Sequence, residues 1–97
     1  MTTANAIYNQ LGGNRFTAMT GTHNFVDMGN GLAMTLRRNK AGAKYLTIKL
    51  NGGDLYEIEF FTLDKNLNKK VKFQLDNVYC DMLQKIFTEV TGLYTKF

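Results

Sequence analysis

The chain has 97 residues, 44% of them apolar and 12% aromatic, which is enough for one hydrophobic core and too few for two. One cysteine, Cys80, and one histidine, His23, allow no internal disulfide and lack the soft ligands of a closed zinc site. The first residues carry no basic stretch leading into an apolar one, and apolar runs are short, so neither secretion nor membrane insertion is expected and the cytoplasm is the expected compartment.

In chain order, Ala4, Ile7, Tyr8 and Leu11 recur with the helical period, Thr2 or Thr3 can cap, and Gly12-Gly13 follows as a stop. From Arg15 the period shifts toward two, predicting strands near 15–20, 23–28, 32–37, 45–51, 55–62 and 71–76. Gly21-Thr22, Gly29-Asn30-Gly31 and Asn51-Gly52-Gly53-Asp54 are the short turns between them, and 38–44 and 64–70 are polar loops. Short links favour an antiparallel meander. Alternation assigns one apolar face to Leu32, Met34 and Leu36; Leu46, Ile48 and Leu50; Tyr56, Ile58 and Phe60; and Val71, Phe73 and Leu75. A cover for that face is supplied by the C-terminal stripe Val78, Tyr79, Met82, Leu83, Ile86, Phe87 and Val90, opened by Asp76 or Asn77 and closed by Gly92. The expected fold is therefore a single α+β domain over 1–97: an antiparallel meander of five to six strands, with a short N-terminal helix and a longer C-terminal helix packed on one face. Met19, Met28, Met34 and Met82 are expected to pack in the core.

Chemistry is sparse. No nucleophile–base pair suggests itself around His23, and Cys80, in the first turn of the last predicted helix, is expected to be a small, half-buried packing residue. Glu57 and Glu59 share a strand face, but Lys49 and Lys72 on the flanking strands explain them as cross-strand ion pairs. The glycine pairs match no phosphate loop. The expectation is a non-enzymatic protein with no cofactor and no metal.

Charge is unevenly placed: residues 1–53 hold six Lys or Arg against one acid, whereas 54–97 hold six against seven. Between the third and fourth predicted strands lies Arg37-Arg38-Asn39-Lys40-Ala41-Gly42-Ala43-Lys44-Tyr45, with Lys49 farther along. Arg37, Arg38, Lys40, Lys44 and Lys49 suit a phosphate backbone or an acidic partner, and Tyr45 offers a ring for an unpaired base. A solvated hairpin tip that discourages edge association explains the same charges. His23, with Thr20, Thr22 and Asn24, is either a second recognition surface or a turn held by side-chain hydrogen bonds.

The blocks Leu11-Gly12-Gly13-Asn14-Arg15-Phe16, Met19-Thr20-Gly21-Thr22-His23-Asn24-Phe25, Asp54-Leu55-Tyr56-Glu57-Ile58-Glu59-Phe60, Val78-Tyr79-Cys80-Asp81-Met82-Leu83 and Thr91-Gly92-Leu93-Tyr94-Thr95 span nearly the whole chain. In their order and spacing the chain resembles a family of small single-domain proteins encoded by bacteriophages, prophages and plasmids. The resemblance implies a mobile-element origin and brings no catalytic residues. Two partner classes follow: nucleic acid, met through the basic 37–49 hairpin, or a host or defence protein complex blocked sterically, as by an anti-CRISPR or other anti-defence inhibitor. An open sheet edge also leaves room for a homodimer, which no sequence feature requires.

Overall fold

A computed structural model of the chain describes residues 3–93. Helix α1 (Thr3–Leu11) buries Ala4, Ile7 and Leu11, and it ends where Gly12 and Gly13 take positive φ and the Gly13 amide donates to the Tyr8 carbonyl at 2.9 Å. The proposed cap Thr2 lies outside the described residues. Helix α2 (Asn14–Thr20) follows, then strands β1 (His23–Asp27), β2 (Gly31–Thr35), β3 (Tyr45–Leu50), β4 (Tyr56–Leu63) and β5 (Lys69–Val78). A 3-10 turn at Cys80–Met82 leads into helix α3 (Leu83–Thr91), so the C-terminal helical segment as a whole is longer than α1.

The sheet is a five-stranded antiparallel meander in the order β1-β2-β3-β4-β5. Its inner face carries Leu32, Met34, Leu46, Ile48, Tyr56, Ile58, Phe60 and Val78, all buried. Against these pack Ile7 and Leu11 of α1, Phe16 of α2, and Leu83, Ile86 and Phe87 of α3. Phe87 is the hub: its ring meets Phe16 at 4.9 Å and Phe60 at 6.3 Å, tying two helices to the sheet. Each such fully buried side chain contributes about 1.5–3 kcal/mol. Tyr56 reaches through this layer to donate its hydroxyl to Gln10 Oε1 at 2.8 Å. Gly92 closes α3 in the left-handed conformation, its amide bonded to the Thr88 carbonyl, and Leu93 packs back on the core.

Four expectations are corrected. Residues 15–20, expected as a strand, form most of α2, which leaves five strands. Phe16 and Thr20 stand one helical turn apart on its buried side, and Gly21 ends it with its amide on the Thr17 carbonyl. A stretch this short fits either period, and burial of Phe16 against Phe87 selects the helix. Secondly, α3 opens at Leu83 and not near Asn77, because β5 continues to Val78, which pairs with Tyr56. Val78 is therefore a buried strand residue, while Tyr79 and Met82 are exposed and Cys80 lies, exposed, in the 3-10 turn. Thirdly, Val71, Phe73 and Leu75 do not share a face. Phe61 pairs with Val71 but Phe60 with Phe73, so one extra residue on β5 switches the alternation between them. Phe73 and Leu75 look toward the helix side and Val71 toward the open side, and all three are partly exposed. Lastly, of the four methionines assigned to the core only Met34 is buried, and Met28 and Met82 are exposed.

Candidate nucleic-acid interface

All three helices pack on one face of the sheet, and among the described residues no helix covers the opposite face. The turn Asn51–Leu55 sets the register on that open face. Asn51 Oδ1 accepts from the amides of Gly53 and Leu55, and the hairpin then pairs Leu50 with Tyr56 and, at its far end, Tyr45 with Phe61. Cross-strand partners share a face. The pairs His23 with Thr35, Thr35 with Tyr45, Tyr45 with Phe61 and Phe61 with Val71 thus make one lateral row across all five strands.

Two rings form the centre of this row. Tyr45 and Phe61 lie with centroids 5.5 Å apart and planes at 31°. Lys44 Nζ stands 5.8 Å from the Tyr45 centroid, and Lys69 Nζ stands 4.8 Å from that of Phe61. Lys69 also forms an ion pair with Glu59. The expected partner for the strand acids, Lys72, instead borders the groove between β5 and α3, because the extra residue on β5 turns it away from the Glu59 side.

The loop between β2 and β3 carries the remaining charges in a fixed shape. Asn39 Nδ2 donates to the carbonyls of Arg37 (2.8 Å) and Ala43 (2.7 Å), and Asn39 Oδ1 accepts from the Ala41 amide. The Leu36 amide bonds to the Lys44 carbonyl, and the Lys44 amide bonds to the Phe61 carbonyl. Ala43 is buried, so the loop is anchored while Arg37, Arg38 and Lys44 remain exposed around an open depression of about 520 Å³. Arg37 lays its stem on Gly21, where a Cβ would stand 2.7 Å from Arg37 Cδ, and His23 Nδ1 is 2.9 Å from the Gly21 carbonyl. Gly21 therefore joins one end of the basic loop to one end of the lateral row. Thr20 and Thr22 are buried and share a 2.7 Å hydroxyl–hydroxyl hydrogen bond, so they hold this turn and do not present a surface.

Of the residues singled out in the sequence, Lys40 borders the same depression but is tied to α3, and Lys49 stands apart. The Lys40 amide donates to the Thr91 carbonyl and its stem runs beside Gly92, which puts its charge at the C-terminal end of α3, where a helix favours a cation. Lys49 is opposite Glu57 near the other end of β3, about 14 Å along the strand from Tyr45. The structure brings together Arg37, Arg38, Lys40 and Lys44 around one depression beside Tyr45 and adds Phe61, Lys69 and His23, which sequence reasoning did not group with them. The signal for Phe61 was present: a hairpin turn at 51–55 places position 61 opposite position 45.

Comparison with family models, with curated proteins and with solved structures finds no match to this chain. Among the described residues no three His, Cys, Asp or Glu side chains are placed to share a metal ion, and no helix is long and apolar enough to cross a membrane.

Proposed function

We propose that this chain binds single-stranded nucleic acid on the open sheet face, with bases laid on Tyr45 and Phe61 and phosphates taken by Arg37, Arg38, Lys44 and Lys69. The observation that carries this reading is the Tyr45–Phe61 pair with a lysine at each ring, on a face that no helix among the described residues covers. Rings fixed in a sheet give a sequence-tolerant stacking surface, and a flanking cationic loop follows a backbone without reading bases. The double helix offers no free base faces, so single strands are the favoured class. In this reading the protein is a non-enzymatic cytoplasmic accessory factor; the resemblance implies only its mobile-element origin.

Fluorescence anisotropy with labelled single-stranded DNA and RNA oligonucleotides tests it. Affinity is expected to fall with salt, log K against log salt having a slope of about −0.7 for each phosphate neutralised. Absence of binding at low salt overturns the reading. If a nuclease-treated host lysate then yields a stoichiometric protein partner, steric occlusion of a host or defence complex takes its place.

A further inference from the structure

We propose that β5 pairs antiparallel with β5 of a second copy of this chain, about a two-fold axis at Gln74, joining two sheets into one. The inference does not depend on the nucleic-acid reading. β5 is an edge strand, and on its helix side Phe73 and Leu75 are 37% and 39% exposed. With Ile86 and Val90 of α3 they wall an open groove of about 360 Å³, a half-built core that lacks a far side.

Charge and register together select the occupant. The strand carries Lys69, Lys70 and Lys72 toward its start and Asp76 toward its end, so an antiparallel copy sets cations against an anion where a parallel one opposes like charges. Register shifts against β4 on either side of the Phe73–Leu75 stretch confine the regular ladder to those three residues. Centring the pair on Phe73 sets Val71, which faces the open side, against Leu75. Centring on Leu75 sets Phe73 against Asn77. Centring on Gln74 opposes Phe73 to Leu75 of the second copy twice, extending the apolar groove on one face, and sets Lys72 level with Asp76 of the second copy at each end, on opposite faces, so that their attraction acts across the seam without a direct ion pair.

Sedimentation equilibrium of the full chain over a range of concentrations tests the pairing. The expected result is a reversible dimer. Lys72→Asp or Asp76→Lys alone is expected to weaken it by about threefold or more at low salt, each setting like charges level with one another at both ends, and the double swap to restore it. Both sites are exposed, and circular dichroism checks that each variant folds. In a Cys80→Ser background, Gln74→Cys is expected to oxidise to a linked dimer, since facing residues of an antiparallel pair lie about 4.5–5.5 Å apart. Lys70→Cys, about 27 Å from its own copy in this register, is expected to give none. A chain that stays monomeric, a dimer indifferent to the charge swap, or a dimer that links through position 70 and not 74 overturns the proposal.

Discussion

Tyr45 and Phe61 face each other across β3 and β4 with ring centroids 5.5 Å apart, on the side of the sheet opposite the core. Neither ring is needed to close that core, which is built from Leu46, Phe60 and their inward neighbours. Both rings are half-buried, and in the proposed function their outer surface is where bases stack.

Tyr45→Ala and Phe61→Ala are each expected to reduce single-strand affinity by about 1–3 kcal/mol, the usual worth of one stacked base. Circular dichroism should be unchanged. Titration of each variant with a labelled oligonucleotide measures the effect, and unaltered affinity in both would remove the stacking surface from the reading.

Removing positive charge separates the residues that the structure groups from those it does not. The triple variant Arg37→Ala, Arg38→Ala, Lys44→Ala is expected to flatten the salt dependence by about 0.7 for each phosphate that is no longer neutralised. Lys49→Ala, beside Glu57 near the other end of β3, is expected to leave it unchanged. Equal effects in the two variants would mean that the anion lies along the whole strand.

Phe87 is 1% exposed and touches rings from α2 and β4. Phe87→Ala is expected to cost about 3–5 kcal/mol, read as a lowered urea midpoint, because removing the ring leaves a cavity that three elements must collapse to fill. Phe87→Asp is expected to unfold the chain, since it would bury a carboxylate in the apolar core.

Gly31 serves a close approach of two strands. A Cβ at this position would overlap the Ile48 carbonyl and stand 2.8 Å from Lys49 Cα, both backbone atoms of β3 that cannot swing aside. Gly31→Ala is expected to destabilise by about 1–3 kcal/mol in the same urea measurement.

Asp64 organises the β4–β5 turn, its Oδ1 accepting from the amides of Asn68 (2.9 Å) and Asn66 (2.8 Å). The Asn68 amide bond leads in holding its carboxyl below the ordinary value of 3.8. A depressed folded-state pKa stabilises the turn above 3.8, and that contribution is lost as pH falls through the depressed value. An NMR titration is expected to place the Asp64 midpoint below 3.8, with the Asn66 and Asn68 amides losing protection, relative to intrinsic exchange at each pH, on its acid side.

The amino-acid sequence by itself determined the parts whose periods are local and long enough to be unambiguous. These are the apolar face of α1, the inward sets of β2, β3 and β4, the Ile86–Phe87 stripe of α3 with its Gly92 stop, and the meander that short turns enforce. It also marked the basic loop and Tyr45. Tertiary structure decided the rest. Asn14–Thr20 became helix because Phe16 is buried against Phe87, a contact between residues far apart in the chain. One extra residue on β5 exchanged the sides of Val71 and Phe73 and moved Lys72 off the strand acids, a change of parity that composition does not record. The grouping of the candidate site was settled the same way. Register carried Phe61 to Tyr45 and Lys69 to Phe61, and a backbone hydrogen bond to Thr91 tied Lys40 to the end of α3.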